Sequence, residues 1–198
     1  QYWMSILKDK KIFMGNYYIC KIFAMILIVL IVFTGCGQNR ITEKEEKKET
    51  VESEMNAEVK KTAQTFRSVY MKEKSKLNTL KVKRKIINCL EEKGYAAVDC
   101  DNQIDMVNRE KVEEFCKAAE KEEQAAVDIV VVFDEGEIIQ YHLESMNGKI
   151  NVRLCQVKWK DNSPQANYYD EYEAYEWKYT EKGYLFLEEY HPPGFDGA

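Results

Sequence analysis

The sequence predicts an α+β fold, with about three helices packed on an antiparallel β-meander of about five strands. Apolar residues recur every three or four positions between residues 56 and 119, and every second position after residue 127. The first period is that of a helix with one buried side, and the second is that of a half-buried strand. The expected organisation is a signal peptide over residues 1–35, a lipidated cysteine with a flexible linker over 36–55, and one domain over 56–198.

The N-terminal segment has the layout of an export signal. Four lysines precede the apolar run Ile22–Phe33, which ends on small residues before Cys36. Its 12 residues fall short of the roughly 20 that a helix needs to cross a bilayer. This order is typical of a cleaved secretory signal, whose start the sequence leaves open between Met4 and Met14. An uncleaved N-terminal anchor helix is the alternative.

The end of this segment, Phe33-Thr34-Gly35-Cys36, resembles the bacterial lipobox. In that motif small residues precede a cysteine that receives a diacylglyceryl group and becomes the mature N-terminus, although Phe33 stands where leucine is usual. Two buried acyl chains hold a protein in the membrane, whereas one chain holds it only marginally. The resemblance implies a lipid on Cys36, the membrane as a partner through that lipid, and a mature chain on the extracytoplasmic face of the cell membrane.

The charge pattern argues against nucleic acid as a partner and predicts a tether. The chain has 29 basic and 34 acidic residues, and subtracting the four lysines and one aspartate before Cys36 leaves 25 and 33, a net charge of −8. Nucleic-acid-binding proteins concentrate basic residues on one face, whereas the basic cluster here is confined to residues 81–85. Residues 37–55 mix both charges almost without apolar residues, which predicts a flexible linker. Its second half is alternatively the frayed start of the first helix.

Three helices are expected in the first half of the domain. The apolar period predicts the first from Asn56 to about Lys76. The second ends before Gly94, because a glycine after the last turn is a common stop signal. The third begins at Asn108, whose side chain is of a type that caps helix N-termini. A short strand, Tyr95–Asp99, is expected between the last two helices.

The two-residue period predicts five strands in the second half. Asn147-Gly148 is the strongest hairpin signal, because both residues tolerate the positive φ of a type I′ turn. The apolar phase slips between Leu154 and Cys155, which predicts a β-bulge or burial on both faces. Residues Asp161–Asn167 are expected to form a loop. The predicted strands are Val127–Phe133, Ile139–Leu143, Lys149–Lys160, Tyr168–Tyr179 and Tyr184–Tyr190.

Two groups of side chains have a structural and a functional interpretation. Four cysteines follow Cys36, and an even number in an exported chain permits two disulfides. Apolar positions for two of them favour free thiols that pack as small hydrophobes. A candidate ligand surface is formed by aromatic residues on one strand phase, because aromatic faces stack on sugars and attract cations. A half-buried strand explains the same pattern and is the favoured interpretation. The cysteines are Cys89, Cys100, Cys116 and Cys155, and the aromatic residues are Tyr169, Tyr175, Trp177 and Tyr179.

The sequence offers no catalytic motif. Its two histidines, His142 and His191, belong to no HExxH pattern, and GxSxG and P-loop patterns are missing from the chain. We therefore expect no catalytic residue, no metal site and no cofactor. The leading hypothesis is a binding or interaction module of the cell envelope. The alternatives are an extracytoplasmic hydrolase of cell-wall or dietary polymers, acting through carboxylates, and a structural envelope protein.

The region from Leu77 to the C-terminus resembles an uncharacterised lipoprotein family of clostridial-type gut bacteria. The resemblance is carried by KIINCLEEKGYAAVDCDNQIDMVNREKVEEFC, VVVFDEGEIIQYHL and EWKYTEKGYLFLEEYHPPGFDG. It implies a domain of unknown function and a Gram-positive envelope. It also implies a chain truncated at its C-terminus, because members of the family continue beyond the equivalent of Gly197. It brings no activity, cofactor or catalytic residue with it.

Overall fold

Four α-helices and seven strands make up the part of the chain that the structure, a computed structural model, describes: residues 39–101, 105–181 and 183–190. The predicted signal peptide, the lipobox and Cys36 lie outside these residues. Residues Glu49–Ala174 form one compact unit, and residues 39–48, 175–181 and 183–190 belong to a second. The predicted α+β class is confirmed.

The first helix is longer than expected. The helices are α1 (Asn39–Gln64), α2 (Arg67–Lys72), α3 (Leu80–Glu91) and α4 (Arg109–Glu120), with a 3₁₀ turn at Lys74–Lys76. The stretch expected as a flexible linker is therefore helical from Asn39 onward. Glutamate and lysine, which dominate it, are good helix formers and attract each other one turn apart. The expected helix start at Asn56 marks instead where α1 begins to bury apolar residues, with Met55 and Val59 in the core.

The expected continuous helix from Asn56 to Lys76 is interrupted by threonines. The Thr65 hydroxyl donates to the Thr62 carbonyl oxygen at 2.7 Å. Local bonds of this kind compete with the helical ladder, so the chain begins a new helix at Arg67. At the end of α3, Gly94 has φ +84° and stops the helix as predicted.

Asn108 precedes α4 as predicted, but the prediction that it caps the helix is wrong. It has the left-handed φ of 51° and makes no side-chain cap hydrogen bond. Its Nδ2 donates instead to the carbonyl oxygens of Tyr95, at 2.8 Å, and Glu91, at 3.3 Å. The side chain therefore binds the end of α3 to the start of the first strand.

The main sheet has five strands in the order β1-β2-β3-β4-β5. They are β1 (Ala96–Asp99), β2 (Ala125–Val132), β3 (Ile138–Met146), β4 (Lys149–Lys160) and β5 (Ser163–Glu173), and a separate two-stranded sheet pairs β6 (Glu176–Tyr179) with β7 (Leu185–Glu188). β1 lies parallel to β2, and the later pairs are antiparallel. The expected meander is therefore part of a mixed sheet, because α4 provides the crossover that a parallel pair requires.

The expected fourth strand, Tyr168–Tyr179, is divided between the two sheets. The Ala174 amide donates to the Ile150 carbonyl oxygen at 2.8 Å, and the next amide, that of Tyr175, donates to the Glu188 carbonyl oxygen at 2.7 Å. The chain changes its pairing partner between these two residues. Strand propensity does not reveal that the chain leaves one partner strand for another, because a residue has the same propensity whichever strand it pairs with.

The connection between β4 and β5 is shorter than predicted. Asp161 and Asn162 have φ values of 50° and 65°, and Lys160 pairs with Ser163, so two residues make the turn. The expected loop Asp161–Asn167 is therefore wrong, because aspartate and asparagine supply the positive φ that such a turn needs. The predicted irregularity in β4 is confirmed. The register shifts between Gln156 and Val157, and Cys155, Gln156 and Val157 are all buried.

Apolar side chains from the first three helices cover one face of the main sheet. This core comprises Phe66, Tyr70, Ile86 and Leu90 with Val130, Val132, Ile138 and Val157, among others. The Tyr70 and Trp159 rings stack with centroids 4.0 Å apart, and Trp159 Nε1 donates to the Gly136 carbonyl oxygen at 3.0 Å. α4 packs against β1, β2 and β3.

Candidate functional site

The aromatic residues expected to form one surface do not share a strand. Tyr169 lies in β5 and packs against the core of the first unit. Tyr175 falls in the break between β5 and β6, and its ring lies 5.3 Å from that of Tyr190. Trp177 and Tyr179 belong to β6. Three of the four residues therefore belong to the second unit, and the proposed strip is not the continuous face of one strand.

The first unit contains a cavity of about 550 Å³ beside the beginning of β2. We call it the β2 slot. A volume of this size is ordinary for small-ligand sites. It is lined by Glu58 of α1, by Lys93, Gly94 and Tyr95 before β1, by Lys111, Glu114 and Phe115 of α4, and by Ala125, Ala126, Val127 and Asp128 of β2.

The slot exists because β1 is short. β1 pairs with Ile129–Val132, so the first three residues of β2 have β3 alone as a strand neighbour in the described part of the chain. The Cys100 amide donates to the Val132 carbonyl oxygen at 2.9 Å, which shows that the backbone groups of Val132 face β1. Because backbone direction alternates along a strand, the N–H and C=O groups of Ala126 and Asp128 face the same side of β2 as those of Val132. At Ala126 that side is the slot.

A buried polar network lies behind one wall of the slot and reaches the cavity through Glu58, Tyr95 and Asp128. The Thr62 hydroxyl donates to Gln140 Oε1 at 2.7 Å and lies 3.1 Å from the phenol oxygen of Tyr95. Gln140 Nε2 donates to Glu58 Oε1 at 3.2 Å and to Asp128 Oδ1 at 3.4 Å. Thr62 and Gln140 are fully buried. The network therefore brings two carboxylates of the slot to one amide group.

His142 extends this network across the sheet. Its Nδ1 lies 2.8 Å from Asp128 Oδ1, and its Nε2 lies 3.4 Å from Glu144 Oε1. Arg153 bonds the other oxygen of Glu144 at 2.8 Å. The hydrogen bond to Asp128 is the main reason that the pKa of His142 is raised, against the opposing effect of burial. A carboxylate at each ring nitrogen favours the protonated imidazolium form of His142.

The other end of the slot, next to the beginning of β1, is positively charged. Lys111 Nζ donates to the Gly94 carbonyl oxygen. Lys93 is exposed and lines the same cavity. The slot therefore has lysines where β1 begins, carboxylates on the wall formed by α1 and the sheet, and one further carboxylate, Glu114, on α4.

A second charged cluster lies at the opposite, carboxyl ends of β1 and β2. The Lys83 side chain is fully buried, with its ammonium group 2.5 Å from Asp101 Oδ2 and 2.7 Å from Asp134 Oδ1. Burial alone lowers the pKa of Lys83, but the hydrogen bonds to the two carboxylates outweigh it and raise that pKa. Burial also raises the pKa of the neighbouring Cys100 thiol to about 11, which keeps it protonated at neutral pH. In this cluster two carboxylates bind the one ammonium group, and the neighbouring thiol is protonated.

Three further observations on the described residues concern the cysteines, membrane-spanning helices and groups of metal ligands. Cys89, Cys100, Cys116 and Cys155 are free thiols, which is the second of the two alternatives that the sequence left open. Within residues 39–101, 105–181 and 183–190, no helix is both long and apolar enough to cross a membrane. No three His, Cys, Asp or Glu side chains of those same residues are grouped as metal ligands would be.

Sequence reasoning missed the slot and found only parts of its lining. Asp128 carried a usable signal, because it is an acid within the otherwise apolar strand segment AAVDIVVV. A charged residue in a buried strand requires a partner. Its partners, His142 and Gln140, come from the next strand, and no spacing in the sequence indicates that β1 stops short of Asp128.

The chain belongs to a family of unknown function, DUF6070, whose family model matches residues 48–198. The expected domain of unknown function is therefore confirmed. No curated protein and no solved structure matched the chain in the corresponding comparisons. Family membership brings no activity, ligand or residue role to the slot.

Proposed function

We propose that the mature protein is a lipid-anchored binding module on the extracytoplasmic face of a bacterial membrane, and that the β2 slot is its ligand site. The lipobox-like residues Phe33-Thr34-Gly35-Cys36 support the anchor. The resemblance to lipoproteins of clostridial-type gut bacteria supports a Gram-positive envelope. The observation that carries the binding role is the slot itself, where a cavity of about 550 Å³ adjoins strand backbone that has no strand partner on that side among residues 39–101, 105–181 and 183–190.

The lining favours binding over mere packing. A buried surface that serves only stability pairs its polar groups internally, as the Lys83 cluster does. The slot instead contains an exposed strand residue, Ala126, together with the exposed side chains of Glu58 and Lys93. These groups supply donors, acceptors and both signs of charge to a bound molecule.

The anchor is tested by metabolic labelling with a tagged fatty acid in the bacterium that produces the protein. The wild-type chain should acquire the label, and the Cys36→Ala variant should not. A mature chain that retains the apolar leader, or that carries no acyl mass, would contradict the anchor.

The ligand site is tested by NMR titration of the mature chain with millimolar N-acetylglucosamine oligosaccharides and short acetylated peptides. A ligand should shift the amide signals of Ala126, Asp128 and Tyr95. Ala126→Trp fills the slot and should abolish the shifts, whereas Ala57→Trp, on an exposed position of α1, should not. If neither class of compound perturbs the slot, the structural envelope role replaces the binding role.

A second candidate function, the extracytoplasmic hydrolase, is favoured by one observation. Glu58 and Asp128 both accept from Gln140 Nε2 at the slot wall, so two carboxylates face one cavity. Paired carboxylates carry out acid–base chemistry in polysaccharide hydrolases. The hydrolase predicts reducing ends released from purified cell-wall glycan, with a loss of about 10²-fold or more in Glu58→Gln and in Asp128→Asn. The binding module predicts no release by any of these proteins.

A further inference from the structure

We infer that the β2 slot takes the carboxyl end of an extended peptide, which adds to the sheet as a strand parallel to β2. This inference rests on the proposed function, since it names the ligand class of the same site. It follows from three features of the slot, which are the direction of its backbone groups, the position of its lysines and the two different walls that face each other across it.

The backbone of β2 is arranged for strand addition. The N–H and C=O groups of Ala126 face the slot, where β1 does not reach. An extended peptide that lies beside Ala125–Asp128 pairs with these groups as β1 pairs with the rest of β2. Four strand residues span about 13 Å, so the pairing segment is about four residues long. The small side chains of Ala125 and Ala126 leave room for it.

The lysines set the direction of the added strand. A strand parallel to β2 that starts beside Ala125 ends at Gly94 and Tyr95, where β1 begins. Its terminal carboxylate then meets Lys93 and Lys111, whereas an antiparallel strand would bring its terminal ammonium group to the same two cations. Opposite charges attract and like charges repel, so the parallel direction is favoured.

The two walls set the side chains that the peptide presents. Successive side chains of a strand point to opposite sides. Those on the side of Asp128 meet its carboxylate and that of Glu58, which favours lysine or arginine. Those on the other side meet Val127 and Phe115, which favours a mainly apolar residue, and α4 also contributes Glu114 to this lining. The ligand is therefore an alternating basic and apolar sequence with a free carboxyl terminus.

The experiment measures the affinities of the mature chain for two acetylated tetrapeptides, Ac-KVKV and Ac-VKVK. In one peptide the lysines point to one side of the added strand, and in the other they point to the opposite side. The one that binds more tightly should lose at least about tenfold, which is about 1.4 kcal/mol, when its carboxylate is converted to an amide. Lys93→Gln should reduce this difference between acid and amide, with Lys111 left as the remaining cation. Lys117→Gln, an exposed lysine of α4 outside the slot, should preserve it.

Methylation of single peptide nitrogens tests the strand pairing. Every second peptide amide faces β2, and an N-methyl group on any of these should weaken binding by at least about tenfold. An N-methyl group on one of the intervening amides should leave binding nearly unchanged. Equal effects at every position, or equal affinity of acid and amide, would overturn the inference. Oligosaccharide binding in the slot without peptide binding would overturn it while the proposed function stands. A slot that binds neither removes the proposed function itself.

Discussion

The two ends of the β1–β2 pair contain similar charged side chains and use them differently. At the carboxyl ends, Asp101 and Asp134 saturate the buried ammonium group of Lys83. At the other end, Glu58 and Asp128 share one amide of Gln140 and remain on the wall of a cavity. Ligands of open sheets with parallel strands usually bind outside the carboxyl ends. Here that end is closed by a lysine, and the opening lies where β1 is too short to cover β2.

Substitutions at the Lys83 end of the β1–β2 pair should lower the unfolding free energy more than substitutions at the slot end. The double substitution Asp101→Asn with Asp134→Asn leaves the Lys83 ammonium group buried without a counter-charge, which should cost about 3–5 kcal/mol of unfolding free energy. Denaturant unfolding measures it. Lys83→Met fills a similar volume and leaves two carboxylates that are already solvent-exposed, so it should cost far less. An equal loss in Lys83→Met would show that packing, not charge, holds this end.

The end of the β1–β2 pair at the slot should lose less stability than the Lys83 end when the side-chain amide of Gln140 is removed. Gln140→Met keeps the shape of the side chain and removes its hydrogen bonds, at an expected cost of about 1–2 kcal/mol. The cost is limited because the Thr62 hydroxyl has a second acceptor, the Glu58 carbonyl oxygen at 3.2 Å, and because the Glu58 side chain is exposed. The same unfolding experiment measures it. A loss as large as that at the Lys83 cluster would contradict the contrast between the two ends.

The His142 ion pair makes the stability of the open end depend on pH. The pKa of His142 is raised in the folded state, mainly by its hydrogen bond to Asp128. Its contribution is therefore complete below the ordinary histidine value near 6.5 and is lost as the pH rises through the raised folded pKa. The unfolding free energy should fall across that interval. His142→Gln should make the unfolding free energy less dependent on pH in this interval. An unchanged pH dependence in this variant would show that other groups cause it.

The smallest effect is expected at the slot itself. Ala126→Pro removes an amide that faces the slot, so it should cost less than about 1 kcal/mol in the free protein, as prolines at unpaired strand edges do. Val127→Pro removes an amide that faces β3. Measured against Val127→Ala, it should cost about 1–3 kcal/mol more, because a buried ladder hydrogen bond is lost. Similar costs at both positions would show that Ala126 is paired.

Local patterns predicted most of the elements but not their partners. Three signals act within a few residues of where they occur. The structure has a helix stop at Gly94, a hairpin at Asn147-Gly148 and an irregular register close to the phase slip after Leu154. The exchange of partner at Ala174 depends on a strand more than ten residues away. No local period contains that information.

The candidate site was predictable only as isolated residues. Asp128 stands out as an acid in an apolar strand, yet its meaning depends on Gln140 and His142 across the ladder and on Glu58 from α1. The slot depends further on how far β1 extends beside β2. Strand length and sheet order are properties of the assembled sheet, because backbone groups pair according to the available neighbour.

Amide hydrogen exchange of the free mature chain tests the bare edge of β2 most directly. The account predicts an alternating pattern in which the Ala126 amide exchanges rapidly and the Val127 and Ile129 amides, which face β3, exchange slowly. Uniform protection across residues 125–129 would mean that another part of the chain already pairs with this edge, and the slot would then have no backbone to offer a ligand.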